Sequence, residues 1–418
     1  MSILAINGGK KEISLPGPHF KWPVITKKTE SAVLKQLYES ISIYDRSGII
    51  EKLENNLSDY FGMRIALLTN SGTSALHSMF VGAGLKEGDE VICPAYTFYA
   101  TVTPLFFTGA TPILADCDEN GNISPKEIEK KITPKTRAIV ITHMWGLPCE
   151  MDKIKTIAKK HNLLLLEDAS HAFGARYHGM KVGTFGDAAA ISMQAQKNVV
   201  AGEGGILITN KNEIFYKALL LGHYNKRCKN EIPKENPLSR FSITGMGLKL
   251  RIHPVAAAIA NEQLDNLSEI MEKRKKIAEK MTEEFGKFKG LKVITPQKNV
   301  DSAWYALIIQ YNPGAFNGLP AEKFYEALKA EGCAELDMPG STCPLNLHPL
   351  FQNPGELFPK YAGKIQYKRG DFPMAEKFHK NCLKLPVWHE KNDEKFIKLY
   401  AKAFKKVIEN YKEILKDG

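Results

Sequence analysis

Seven short apolar runs dominate the stretch from about residue 64 to residue 210: Ile65–Leu68, Glu90–Cys93, Thr111–Ala115, Ala138–Thr142, Leu163–Leu166, Ala188–Met193 and Gly205–Thr209. Each is continuous rather than alternating, so a strand formed from it must be covered on both faces. Helix-like or turn-rich segments such as Ser74–Gly82 and Lys153–His161 separate the runs. The pattern predicts an α/β fold built on a mainly parallel sheet flanked by helices.

After Gln263 the texture changes. A long charged helix, "LSEIMEKRKKIAEKMTEEFGKF", is followed by "LKVITP", "SAWYALIIQYN", "PAEKFYEALKAEG" and a C-terminal helix. This reads as a second, smaller α+β domain, consistent with a length of 418 residues. The expected division is an irregular Pro- and Gly-rich arm over 1–30, a large domain over 31–265 and a small domain over 266–418.

Composition excludes more than it assigns. With 44% hydrophobic and 25% charged residues the chain suits a globular protein with an extensive interior. The apolar runs fall far short of the roughly 20 residues of a membrane helix. The N-terminus lacks the order of a signal peptide, so a cytoplasmic protein without membrane association is expected. Seven scattered cysteines fit neither a disulfide framework nor a metal cluster. The net charge of +11 is spread along the chain as a solvated surface, and no basic-aromatic cluster points to nucleic acid.

In parallel sheets ligands bind beyond the carboxyl ends of the strands. Four such ends carry chemistry here. "RIALL" breaks into Thr69-Asn70-Ser71-Gly72-Thr73 and a helix begins at once, which makes either an ordinary N-cap or a phosphate cup. "LLLLEDASHAFGA" places Asp168 after four leucines, where a carboxylate needs a cation or donors unless it merely caps a helix. "VICPAYTFYAT" sets Tyr96, Phe98 and Tyr99 after a strand, and "SMQAQKNVVAGEGG" puts Lys197 five residues after Ser192 and ahead of several glycines. A phosphate cup, a buried acid, an aromatic plate and a lysine are together the parts needed to hold pyridoxal phosphate.

These strings, with "LAINGG", "TNSGTSAL", "EDASHAFGA", "HPVAAAIANEQL", "CPLNLHPLF" and "LPVWHE", resemble the DegT/DnrJ/EryC1/StrS sugar and cyclitol aminotransferases over nearly the whole chain. The resemblance implies a fold type I pyridoxal phosphate enzyme. It implies that Lys197 is the Schiff-base lysine, that Gly72, Thr73 and Ser192 bind the phosphate, and that Phe98 stacks on the ring. Asp168 is expected at the pyridine nitrogen and His171 beside the ring hydroxyl. Family members commonly carry Gly-x-Asn-x-Arg before the next helix, the Asn reaching a neighbouring subunit's phosphate. Here the string is "GLKLRIHPVAAA", with Lys249 in the Asn position, where a lysine either binds phosphate as a point charge or faces solvent. Arg251, His348 and His389 are the expected substrate-side residues, the histidines having a capped turn as the alternative.

By the same resemblance the chain forms a homodimer and moves an amino group by ping-pong exchange. The donor is L-glutamate or L-glutamine, and the acceptor is a keto sugar or keto-cyclitol, free or nucleotide-linked. A same-fold dehydratase carries histidine at the lysine position, which Lys197 contradicts, and a non-catalytic regulator does not need the whole constellation.

Overall fold

The computed structural model describes residues 3–389 and 393–415. All seven apolar runs become strands of one sheet: β1 (Ile65–Thr69), β2 (Glu90–Pro94), β3 (Thr111–Ala115), β4 (Thr136–Thr142), β5 (Leu164–Asp168), β6 (Ala188–Ser192) and β7 (Gly205–Thr209). Their order is β1-β7-β6-β5-β4-β2-β3. The pairs from β6 through β3 are parallel, and β7 alone runs against both of its neighbours.

The continuous runs are explained by two separate cores. Leu67, Val140, Leu166, Ala190 and Leu207 point to one face and meet Leu76 and Phe80 of the helix Gly72–Gly82. Leu68, Ile139, Ile141, Leu165, Ile191, Ile206 and Ile208 point to the other, against Leu53 and Leu57 of the helix Gly48–Phe61 and Ala257 of the helix Pro254–Asp265. Side chains that alternate across a pleat are apolar at every position because neither face meets water.

The helix Pro254–Asp265 gives way to the charged helix Leu267–Gly286 where the sequence texture changes. Beyond it, Leu291–Val293, Leu307–Tyr311 and Cys382–Leu385 form a small antiparallel sheet. Met281 and Phe285 of the charged helix, Phe324 of Ala321–Ala330 and Phe404 of Glu394–Glu409 cover it. Of "SAWYALIIQYN" only Leu307–Tyr311 is strand, and Ser302–Ala306 is irregular backbone that turns toward the large sheet. Among the described residues no helix is long and apolar enough to cross a membrane.

The N-terminal arm is more tightly held than its composition suggests. Leu4 and Ile13 are buried in the core of the small sheet and its helices. Glu331, itself fully buried, accepts hydrogen bonds from the amides of Ala5 at 2.8 Å and Glu12 at 3.0 Å and pairs with Lys406 at 2.8 Å. Its own carbonyl accepts from Ile13 N at 2.9 Å. A helix begins already at Lys27.

Removing one partner of a buried ion pair leaves an uncompensated charge, at a cost of about 3–5 kcal/mol. Glu331→Ala is therefore expected to lower stability by about that amount and to expose the arm to protease. Urea unfolding and limited proteolysis measure both effects.

Candidate active site

The carboxyl ends of β1, β4, β5 and β6 open into one cavity of about 420 Å³, closed on its far side by residues of the small sheet and its loops. At the end of β1 the chain turns directly into the helix Gly72–Gly82, with Ser71 as N-cap accepting from Ser74 N at 3.1 Å. The first amides of a helix have no partner within it and lie at the positive end of its dipole, so this start is an anion cup. Ser192, at the end of β6, forms the opposite wall. Two glycines make the approach possible: a Cβ on Gly72 would stand 2.6 Å from that of Ser192, and one on Gly205 would stand 2.1 Å from the Ser71 carbonyl oxygen.

Asp168 ends β5 and is 4% exposed. One carboxylate oxygen accepts from the Thr101 hydroxyl at 2.7 Å and the other from Ser170 N at 3.0 Å. Thr101 belongs to a buried hydroxyl cluster with Thr97, at 2.8 Å, and Thr142. Among the described residues no cationic side chain forms an ion pair with Asp168. A buried carboxylate in that condition is suited to receive a cation.

Lys197 stands in the loop that joins β6 to β7, and its ammonium lies 4.7 Å from the centre of the Tyr305 ring. Burial pushes its pKa down to about 8; Asp168 opposes the shift and the nearby Lys384 adds to it. The loop is anchored from two sides. Trp22 of the arm donates its indole N–H to the Lys197 carbonyl at 3.0 Å. The next residue, Asn198, donates to the carbonyls of Ala303 at 2.8 Å and Phe173 at 3.1 Å and accepts from Arg274, whose guanidinium lies 4.5 Å from the Trp22 ring.

An aromatic wall completes the cavity. His171 stacks on Tyr305 at 4.2 Å and on Trp145 at 5.5 Å. Burial holds the His171 imidazole well below its ordinary pKa, and Lys197 and Lys384 reinforce the effect, so the ring is neutral. Its Nδ1 is buried and without a hydrogen-bond partner among the described residues. Trp145 adopts φ 56°, an unfavourable conformation for a bulky residue. Its neighbours enforce it: Met144 N bonds the Asn122 side chain at 2.8 Å and Ala303 N bonds the Gly146 carbonyl at 2.8 Å.

Seven of the residues singled out in the sequence, Gly72, Thr73, Phe98, Asp168, His171, Ser192 and Lys197, line this cavity together. Four lie outside it. Lys249 is exposed, and Arg251 sits by Tyr44 in a separate narrow cleft with His223. His348 contacts the Cys343 sulfur at 2.9 Å and the edge of Tyr99. His389 is buried edge-on against Phe20 and Trp22, behind the lysine loop. Thr101, Trp145, Tyr305, Asp337 and Lys384 line the cavity without having been anticipated. Only Thr101 carried a local signal, as the last threonine of "PAYTFYAT".

The donor set fits pyridoxal phosphate: an anion cup that any Cβ on Gly72 would fill, a buried carboxylate awaiting a cation, an orphaned imidazole nitrogen and a lysine of lowered basicity. The sequence model of the DegT/DnrJ/EryC1/StrS aminotransferase family matches residues 25–403. The spore coat polysaccharide biosynthesis protein SpsC of Bacillus subtilis is 32% identical over 349 residues, which are 82% of this chain and 86% of SpsC. A putative L-glutamine:3-amino-2,3-dideoxy-scyllo-inosose aminotransferase of Micromonospora echinospora is 31% identical over 385 residues, 90% of this chain and 89% of that one. The structure of DesI in the presence of its TDP-sugar product is similar with a TM-score of 0.81 at 25% identity, covering 99% of this chain and 98% of DesI. The chain belongs to the DegT/DnrJ/EryC1/StrS family and is a pyridoxal-phosphate-dependent aminotransferase.

Proposed function

We propose that the protein transfers the amino group of L-glutamate or L-glutamine to a keto sugar or keto-cyclitol, with Lys197 as covalent anchor and proton carrier. The observation that carries this reading is the convergence of Lys197, Asp168 and the helix start at Gly72, from three different strand ends, on one cavity. Bound pyridoxal phosphate supplies a reactive aldehyde and an electron-withdrawing ring.

The chain's own groups divide the remaining work. The amides of Gly72 and Thr73 and the Ser192 hydroxyl would hold the phosphate, and Asp168, fixed by Thr101, would hold a positive ring nitrogen in place. Phe98 and the neutral His171 confine the ring. Lys197 Nζ would hold the cofactor's aldehyde and would be the group placed to carry the donor's α-proton, a task suited to an amine whose pKa burial lowers to about 8. Gln194, Gln196, Glu203 and Ser341 at the cavity wall offer both donors and acceptors to a polyhydroxylated ring.

The similarity to the Micromonospora enzyme supports a cyclitol acceptor. A nucleotide-linked keto sugar is the second reading, favoured by a side cavity of about 300 Å³ that shares Gln196 and Tyr305 with the main one and is walled by Phe20 and Trp22. Half-reactions separate the two: the cofactor is converted with glutamate or glutamine, and its absorbance is then restored with scyllo-inosose or with nucleotide keto sugars. Restoration by neither class contradicts the proposed function.

A homodimer accords with the exposed apolar side chains Leu34, Leu37, Tyr38 and Ile41 and with Phe241, Ile243, Met246 and Leu248 beside Lys249. A partner covering the second patch would also cover the exposed Lys249.

Lys197→Ala is expected to abolish the visible absorbance of the bound cofactor and to reduce turnover by roughly 10³-fold or more. Survival of activity with added pyridoxal phosphate alone contradicts the assignment. In the cofactor-free protein, amine-directed labelling of Lys197 should rise with pH through a midpoint near 8, because burial disfavours the protonated form. Peptide mass spectrometry reads this midpoint against those of exposed lysines. Tyr38→Glu combined with Ile243→Glu should shift the protein from dimer to monomer in light scattering.

A further inference from the structure

We propose that Lys384 binds the α-carboxylate of the amino donor and that Asp337 is the internal carboxylate occupying Lys384 while no donor is present. The inference rests on the transamination reading above and names the group in this chain that tells donor from acceptor.

Among the described residues, Lys197 and Lys384 are the only lysine or arginine side chains lining the cavity. Lys197 is committed to the cofactor, which leaves Lys384 to meet an incoming anion. Its backbone position is rigid. Lys384 lies on the strand Cys382–Leu385 and is bonded to Asp337 in both directions, N to O at 2.8 Å and O to N at 3.0 Å. From this bridge its ammonium reaches Asp337 Oδ2 at 2.6 Å and lies 5.7 Å from the Trp145 ring centre. Both charged residues line the main cavity and the side cavity, so the pair sits at their junction.

The energetics suit an exchange. The side chains are 27% and 47% exposed, and a partly solvated ion pair of this kind contributes little to stability. Replacing Asp337 by a donor carboxylate therefore costs little, and the donor's own charge-assisted hydrogen bond offsets the loss. When the keto acid leaves, Asp337 returns. The second substrate, a ring with hydroxyls and no carboxylate, then meets a compensated pair rather than a bare cation that it could not satisfy. One cavity thereby serves two chemically unlike substrates in turn.

The test uses the holoenzyme and four probes: L-glutamate and L-glutamine, and 4-aminobutanoate and 4-aminobutanamide, which are the same molecules without the α-carboxylate. Each is titrated while the cofactor absorbance is followed. Lys384→Met should raise the half-saturating concentration of the amino acids about 10-fold to 100-fold and leave the response to the two amines within about 3-fold. Lys384→Arg should recover most of the loss, and Asp337→Asn, which removes the competing carboxylate, should tighten amino-acid binding; unchanged binding overturns the role given to Asp337. Calorimetric binding of 2-methyl-L-glutamate, which has no α-proton to lose, should weaken in parallel in Lys384→Met.

Equal weakening of amino acids and amines, no weakening of either, or an effect confined to the acceptor half-reaction overturns the proposal. So does a loss in Asp337→Asn as large as that in Lys384→Met. If the unaltered enzyme shows no absorbance change with either amino acid, the transamination reading itself is at fault. That result is distinct from an unaltered enzyme that reacts and a Lys384→Met variant that reacts equally well.

Discussion

A carboxylate buried at the end of β5, with no ion-pair partner among the described residues, is the constraint around which the site is arranged. Asp168 is held by a hydroxyl and an amide, and neither neutralises it. The buried threonine cluster that fixes its orientation couples the end of β4 and the loop after β2 to the same point. Lys197 and the aromatic wall are disposed around the space that a cation would fill. A buried carboxylate held only by neutral donors among the described residues is the arrangement expected where a position serves a ligand rather than stability.

Much of the sheet was legible because burial on both faces leaves a local mark. Leu163–Leu166 and Ala138–Thr142 are apolar at consecutive positions, and the two cores show why. The polar residues that interrupt such runs, Ser71 to Thr73 and Asp168, were legible for the complementary reason, since a polar group at a buried strand end needs a use. Tyr305 and Lys384 left no such mark. They reach the cavity from an irregular segment and a short strand of the small sheet, far along the chain, and their neighbours in sequence say nothing of it. Trp145 was equally silent, because its position depends on a left-handed backbone enforced by Asn122 and Ala303.

The arm shows the same limit from the other side. Its prolines and glycines suggest an irregular path, yet they do not reveal that Glu331 and Lys406 hold it or that a helix begins at Lys27. Irregular backbone is compatible with firm attachment whenever its amides find a buried acceptor. The arm is also part of the site's support, since Trp22 holds the carbonyl of Lys197 and carries Arg274 on its ring.

That attachment has a consequence for the order in which the parts of the fold come together. Leu4 and Ile13 share one buried core with Phe324, Leu383 and Phe404, which stand more than 300 positions further along the chain. The strands that present Asp168 and Ser192 can pair among themselves, but the arm has nowhere to bind until the small sheet and its helices have formed. Contacts of such long sequence separation form late. The lysine loop thus receives its Trp22 clamp only once the small sheet has folded, and the support of that loop becomes a property of the whole fold rather than of its larger sheet.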